Sequence, residues 1–165
     1  MNFKISCLLF FHDHSDRILL IKRRKPPNDN YWSPPGGKLE MDLGESPFEC
    51  AKREALEEVG IELMDADLNL FGYVSEKYYE NRSHWLMFLF ECKVLLDYIP
   101  DEMEEGFFQY YKREDIKHLA IPPSDHELVW PFYDQRKEGF WGIRANCSEG
   151  KTNLAIEASP TGFIK

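Results

Sequence analysis

The sequence has few basic residues, no closely spaced pair of cysteines and no long apolar run. Its 20 Lys and Arg face 29 Asp and Glu, a net charge of −9, which disfavours a nucleic-acid polymer as ligand because phosphate backbones need clustered cations. No C-x-x-C pair and no zinc-ligand histidine spacing occurs, so isolated buried thiols in a reducing compartment are expected. Apolar runs reach only strand length, too short to cross a membrane. We therefore expect a cytoplasmic protein that has no membrane partner.

The composition is typical of one globular domain. Hydrophobic residues make up 43% and charged residues 30% of the chain, as in ordinary folded proteins. A length of 165 residues suits a single domain over 1–165 with a real core. A small phosphorylated ligand is compatible with the acidic balance if metal ions neutralise it locally. The sequence leaves a monomer and a homodimer equally open.

Local patterns predict a mixed sheet flanked by helices, in the α+β class. Apolar, β-prone runs at 2–11 and 17–22 predict a hairpin, and Pro- and Gly-rich stretches at 25–30 and 33–37 predict loops. The remaining elements follow from the same signals. The predicted strands are 68–79, 83–95, 106–111, 140–147 and 153–158, and the predicted helices are 113–118 and one from Ser124 or Asp125 to about 135.

One helix, predicted over 47–59, has the clearest signals. Ser46 is a good N-cap, Pro47 occupies the first helical position, and Glu49 completes a capping box. Gly60 is the expected left-handed terminator. Apolar residues at helical spacing predict a buried stripe of Phe48, Ala51, Ala55, Leu56 and Val59.

Three acidic residues share one face of this helix. Offsets of three and four place Glu54 beside Glu57 and Glu58, where like charges repel. A hard divalent cation such as Mg2+ would offset that repulsion because it prefers carboxylate oxygens. Arg53, four residues before Glu57, can brace the cluster, and the turn at Gly37 can lend a backbone carbonyl. Taken alone, three glutamates on a helix are more typical of a solvated acidic face than of a metal site.

The order of these residues resembles the Nudix box, G-x5-E-x7-R-E-U-x-E-E-x-G-U, where U is aliphatic. The match from the first glutamate onward is complete, through Glu45, Arg53-Glu54, Ala55, Glu57-Glu58 and Gly60-Ile61. The family has five residues between the glycine and that glutamate. Here seven residues separate Gly37 from Glu45, so the turn before the helix carries two extra residues.

The resemblance implies a fold, a cofactor and a reaction. The expected fold is an α/β/α sandwich around a mixed β-sheet with a catalytic loop–helix–loop. Water would attack a phosphorus of a bridging diphosphate, assisted by Mg2+ or Mn2+. The implied metal ligands are Gly37, Glu54, Glu57 and Glu58. Glu54 would also orient or activate water, and Arg53 would orient a carboxylate, with Glu45 as its partner.

Outside the box the chain resembles the MutT branch, which hydrolyses oxidised purine nucleoside triphosphates. Glu102, before Phe107-Phe108, resembles a glutamate that helps catalysis; Asp101, Glu104 or Glu105 could serve instead, or the turn is simply solvated. Asp125, six residues before Pro131, matches an aspartate that contacts the purine edge; a helix N-cap is the alternative. The other implied substrate residues are Ser33, Lys38 and Arg23.

This chain departs from the branch at two positions. The mammalian enzyme of the branch has asparagine at the Ser33 place and tryptophan near Pro123.

The sequence leaves three candidate functions. The first function is hydrolysis of a nucleoside triphosphate, such as 8-oxo-dGTP, to monophosphate and pyrophosphate. The second is hydrolysis of a nucleoside diphosphate derivative such as ADP-ribose. The third is a non-catalytic regulator that binds a small nucleotide, which the intact box carboxylates disfavour.

Overall fold

The computed structural model describes residues 1–26 and 28–161. Two parts of the predictions lie outside the described residues: Pro27 in the predicted loop at 25–30, and residues 162–165 of the predicted domain. The strands are β1 (Phe3–Asp13), β2 (Ile18–Arg23), β3 (Trp32–Ser33), β4 (Gly36–Lys38), β5 (Leu68–Tyr79), β6 (Ser83–Leu96), β7 (Gly106–Tyr111), β8 (Trp141–Asn146) and β9 (Asn153–Ala158). The α-helices are α1 (Pro47–Glu54), α2 (Arg113–Ile116), α3 (Asp125–Leu128) and α4 (Trp130–Asp134).

The described strands form one mixed sheet in the order β3-β2-β1-β6-β5-β8-β9, with β4 beside β1 and β7 beside β2. Strands β1 and β6 are parallel, as are β5 and β8. The other pairs are antiparallel, including the predicted hairpins β1–β2 and β8–β9. The mixed sheet of the sequence prediction is confirmed.

Alternation along β1 divides the core into two layers. Cys7 and Leu9 face α1 together with Cys50 of that helix, and all three side chains are fully buried. Phe10 faces the opposite side and stacks on Tyr133 of α4, with ring centroids 4.9 Å apart. Because successive side chains of a strand point to opposite faces, one central strand supports helices on both sides, which gives the α/β/α sandwich.

Helix α1 begins as predicted but ends differently. The capping box is present: Glu49 N donates to Ser46 Oγ at 3.2 Å, and Ser46 N donates to Glu49 Oε2 at 2.7 Å. Regular α-helix stops at Glu54, and Ala55–Val59 continue as a π-helix before Gly60, whose φ is 77°. The prediction that Leu56 belongs to the buried stripe is wrong, because its side chain is 55% exposed. The wider π turn carries Leu56 away from the sheet.

The two extra residues of the box form a short turn outside the sheet. Met41–Leu43 are 3-10 helical, and the turn closes at Gly44, whose φ is 66°. Its two ends are fastened together, because Glu40 N donates to Glu45 Oε2 at 2.8 Å. The added length is therefore absorbed before α1 begins.

Other loops and helices also differ from the prediction. The predicted loop at 33–37 contains strand residues of β3 and β4. The predicted helix up to 135 is two helices separated at Val129, since Pro131 has no N–H to continue the hydrogen-bond pattern. Ser124, one of the two predicted caps, occupies the N-cap position of α3 but makes no side-chain cap hydrogen bond, and Asp125 is already helical.

None of the helices in the described part of the chain has the length and apolar character needed to span a membrane.

Candidate active site

A cavity of about 420 Å3 lies beside α1, the short strand β4 and the loop before α3. Nine of the ten predicted site residues line it: Arg23, Ser33, Gly37, Lys38, Arg53, Glu54, Glu57, Glu58 and Asp125. The tenth, Glu102, does not. Residues from five separate stretches of sequence are thus brought to one cavity.

Arg53 is the hub of the acidic cluster. Its Nε and Nη2 donate to the two oxygens of Glu45 at 2.7 and 2.9 Å. Its Nη1 donates to Glu54 Oε1 at 2.9 Å and to Glu57 Oε2 at 3.2 Å. Nη2 also donates to the carbonyl of Lys38 at 3.0 Å. The hydrogen bonds from Arg53, opposed by burial, hold the pKa of Glu45 below its ordinary value. The predicted pairing of Arg53 with Glu45 is present despite the longer turn.

Glu54 lies deepest of the three helix carboxylates. Glu54 is 8% exposed, and its carboxylate packs so closely on Gly37 that a Cβ at position 37 would overlap it. Burial raises the pKa of Glu54, Arg53 opposes that rise, and the charges of Glu57 and Glu45 add to it. Glycine at position 37 is therefore needed for the space that it leaves, which a sequence motif alone does not explain.

Glu58 is held against the strand that precedes the box. Gly36 N donates to Glu58 Oε2 at 3.0 Å. Burial raises the pKa of Glu58 to about 7; the Gly36 hydrogen bond lowers it, and the charges of Glu54 and Glu105 raise it further. Glu57, by contrast, has a side chain that is 56% exposed and accepts a hydrogen bond from Arg53. The cluster thus has two enclosed carboxylates and one at the rim.

The donor set suits a hard divalent cation. Carboxylate oxygens are the ligands that Mg2+ and Mn2+ prefer, and the charge of Glu54 adds to the burial that raises the pKa of Glu58. A cation between them would offset that repulsion. Among residues 1–26 and 28–161, no three acidic, His or Cys side chains already converge as a metal site. The residue types fit, while Arg53 occupies the position between Glu54 and Glu57.

Glu102 lies outside the main cavity. It forms an ion pair with Arg24, its side chain is 61% exposed, and it lines a neighbouring recess together with Glu57 and Glu58. Glu105 lines the main cavity instead and contributes to the raised pKa of Glu58. The role of Glu102 stays a prediction, and Glu105 is the member of that acidic segment nearest to the cluster's cavity.

Asp125 and Glu76 are two further buried carboxylates that line the cavity. Asp125 is 7% exposed and Glu76 is 3% exposed, and both line the cavity with Trp85 and Tyr79. The sequence reasoning missed Glu76, although a signal was available. Strand alternation places it on the same face as Val74, which is fully buried, and a charged residue at a core-facing position is unusual.

The chain is similar to known proteins of one family. The NUDIX domain family matches residues 3–131. The Nudix hydrolase YvcI of Bacillus subtilis is 31% identical over 115 residues, covering 69% of this chain and 70% of that protein. An ADP-ribose pyrophosphatase of Methanocaldococcus jannaschii is 31% identical over 134 residues, covering 77% and 71%. A MutT crystal structure from Bacillus halodurans superposes with a TM-score of 0.72 at 23% identity, covering 95% of this chain and 99% of that one.

The fold, the box carboxylates around Arg53 and these matches together define the class: the chain belongs to the Nudix family. It is a Nudix hydrolase, and such enzymes generally use divalent metals and act on small nucleotide substrates. Its sheet and helices have the α/β/α arrangement of MutT structures.

Proposed function

We propose that this Nudix hydrolase cleaves a diphosphate linkage of a nucleoside triphosphate, releasing nucleoside monophosphate and pyrophosphate, with 8-oxo-dGTP among its substrates. The observation that carries the proposal is the content of one cavity. The carboxylates proposed to hold a metal line it together with the buried Asp125 and Glu76. Arg23 and Lys38 line the same cavity and can donate charge-assisted hydrogen bonds to phosphate oxygens.

Glu54, Glu57 and Glu58, with the carbonyl of Gly37, would hold Mg2+ or Mn2+. When bound, the ion supplies positive charge that offsets the charge growing on the phosphoryl oxygens. Arg53 fixes one oxygen each of Glu54 and Glu57 by hydrogen bonds of 2.9 and 3.2 Å. Those carboxylates are therefore oriented before substrate arrives, which lowers the cost of ordering them.

Glu54 also supplies a proton acceptor. Its Oε1 accepts from Arg53, and its Oε2 accepts no hydrogen bond within the described part of the chain. Burial raises the pKa of Glu54, which brings a carboxylate closer to the range useful for general-base work. We assign to Oε2 of Glu54 the orientation of the attacking water and the acceptance of its proton.

A substrate panel tests the proposal. Purified protein with Mg2+ would be given dGTP, 8-oxo-dGTP, the other deoxynucleoside triphosphates and ADP-ribose, with products identified by mass. The proposal requires monophosphate and pyrophosphate from a triphosphate, at a higher kcat/KM than for ADP-ribose. Release of orthophosphate and a nucleoside diphosphate would contradict it.

The second candidate is a nucleoside diphosphate derivative such as ADP-ribose. It is favoured by the similarity to the Methanocaldococcus jannaschii ADP-ribose pyrophosphatase, 31% identical over 134 residues. In the same panel, this candidate requires AMP and ribose 5-phosphate from ADP-ribose, with little turnover of triphosphates.

A further inference from the structure

Two of the three helix carboxylates lie in a turn that is not regular α-helix. Glu54 ends the α-helical part of the segment, whereas Glu57 and Glu58 belong to the π-helix Ala55–Val59. Single π turns are rare and occur frequently at functional sites. Because a π hydrogen bond spans one residue more than an α hydrogen bond, the form of this turn decides where Glu57 and Glu58 point relative to Glu54.

A hydrogen bond from a distant segment holds the end of this π-helix. The last carbonyl groups of a helix have no N–H partner within it and need one from elsewhere. Tyr98, in the segment between β6 and β7, supplies a donor: its hydroxyl donates to the Val59 carbonyl at 2.8 Å. Val59 directly follows Glu58, so this contact restrains the backbone that carries the Glu58 carboxylate. Tyr98 also lines the recess that contains Glu57 and Glu58.

Tyr98 is itself fastened to the sheet through its backbone. The Tyr110 hydroxyl, on β7, donates to the Tyr98 carbonyl at 2.6 Å. Tyr110 is 8% exposed, and the Arg17 guanidinium lies over its ring at 5.7 Å from the centroid. Tyr98, by contrast, is 39% exposed, so its hydroxyl can be removed with little disturbance of the core. Two hydrogen bonds in series therefore connect the sheet to the end of the helical segment.

We propose that Tyr98 is a positioning residue for hydrolysis: by binding the Val59 carbonyl, it keeps the turn in its π form and holds Glu57 and Glu58 where they share a metal ion with Glu54. Tyr98 acts through the backbone and does not touch the reacting atoms. Without its hydroxyl, the ion must also order the turn when it binds, which weakens binding. This inference rests on the proposed metal role of the glutamates.

Binding of Mn2+ to the full chain, without nucleotide, tests the positioning role and needs no turnover. Electron paramagnetic resonance measures the Mn2+ that remains free. Tyr98→Phe removes the hydroxyl alone, and the loss of one such hydrogen bond should weaken Mn2+ binding about fivefold. The turnover rate should fall at limiting Mn2+ and return towards that of the unaltered protein at saturating Mn2+. A defect confined to stability would lower Tm and leave the Mn2+ affinity unchanged.

Two further variants locate the effect. Tyr78→Phe makes the same chemical change at a tyrosine with the same exposure of 39%, and it should leave the Mn2+ affinity unchanged. Tyr110→Phe should weaken Mn2+ binding, because it releases the Tyr98 backbone. Adding Tyr98→Phe to Tyr110→Phe should then have less effect than Tyr98→Phe has alone. Thermal unfolding without metal checks that each variant is folded.

The outcomes separate this inference from the proposed function. Unchanged Mn2+ affinity in folded Tyr98→Phe would overturn the positioning role, even if the unaltered protein hydrolyses triphosphates. An equal loss of affinity in Tyr78→Phe would overturn it too. Weaker Mn2+ binding in Tyr98→Phe but not in Tyr78→Phe, in a protein that cleaves no triphosphate, would support the positioning role and reject the proposed substrate.

Discussion

Arg53 donates two parallel hydrogen bonds to the Glu45 carboxylate, at 2.7 Å from Nε and 2.9 Å from Nη2. The same guanidinium reaches Glu54 and Glu57 through Nη1. A planar fork of donors makes this possible, and a lysine ammonium cannot reproduce it. The arginine of the box is therefore an organiser of three carboxylates.

Arg53→Lys should lower kcat by about 10- to 100-fold with a smaller change in KM, because positioning errors act mainly on the reacting groups. Steady-state kinetics measures the effect. Lys52→Ala is the matched control: it removes an adjacent cation whose partner, Asp65, has a side chain that is 71% exposed, and such pairs contribute little. Unchanged kcat in Arg53→Lys would rule out the organising role.

Glu57→Gln should reduce turnover by roughly 100-fold or more, because a proposed metal ligand and a partner of Arg53 are lost together. Stability should hardly change, since the Glu57 side chain is 56% exposed and exposed ion pairs contribute little. Kinetics and thermal unfolding test both parts. Glu62→Gln, exposed just beyond the same helical segment, should behave like the unaltered protein. Near-normal turnover in Glu57→Gln would exclude it as a ligand.

Removal of divalent metal should abolish hydrolysis. After treatment with a chelator, activity should return on addition of Mg2+ or Mn2+ and not of Ca2+ to the same extent, since Ca2+ takes larger, more irregular coordination. Product release followed over a metal titration gives the result. Full activity in the chelated protein would show that the carboxylate cluster serves another purpose.

Gly37→Ala should impair turnover more than stability. The new Cβ at position 37 would overlap the Glu54 carboxylate. The Glu54 side chain can rotate away at little cost to the fold, but its carboxylate then leaves its position in the site. Gly44→Ala makes a matched contrast: its φ is 66° with open space around it, so it should cost about 1 kcal/mol of stability and leave kcat intact. Comparable kcat values for the two variants would contradict the close packing on Glu54.

Asp125→Asn should stabilise the protein at neutral pH. Burial and Glu76 raise the pKa of Asp125 above 3.8, so the folded state holds a proton that the unfolded chain releases. The free energy of unfolding is therefore highest, as far as Asp125 is concerned, below pH 3.8, and it falls as pH rises through the folded-state pKa of Asp125. The difference in Tm between Asp125→Asn and the unaltered protein should therefore be small near pH 4 and grow towards pH 7. A difference that does not vary with pH would refute the raised pKa.

His12 should have the opposite pH dependence. Its Nε2 lies 2.6 Å from the Tyr133 hydroxyl, and burial, then Arg136, lowers its pKa below 6.5, with Glu91 opposing. The folded state favours the neutral ring, so its contribution is present above pH 6.5 and is lost as pH falls. His12→Gln should flatten the fall in Tm between pH 7 and pH 5, whereas the exposed His14→Gln should not. Identical slopes would argue against a depressed pKa.

Much of the fold was predictable because its signals are local. The capping residues Ser46 and Glu49, and the terminator Gly60, fix where the helical segment starts and stops. Strand β5 and strand β9 have the predicted bounds, since alternation and turn residues act over a few positions. The carboxylates of the site were predictable for the same reason: their spacing lies within one motif.

The remaining features depend on contacts between distant segments. The π turn after Glu54 is not visible in hydrophobic spacing, which assumes a regular helix, and it moved Leu56 to the surface. Glu102 pairs with Arg24 and does not line the main cavity, whereas Glu105 does. Glu76 became a site residue only when β5 met the loop before α3.

The turn at Met41–Leu43 makes the catalytic helix independent of the length of the segment before it. Because Glu40 and Glu45 are joined to each other at its base, and Leu43 is 81% exposed, residues can be added or exchanged at its tip without shifting α1. A fluorescent label attached through Asp42→Cys would therefore lie two residues from Glu40, which lines the cavity, and would report the arrival of a nucleotide there.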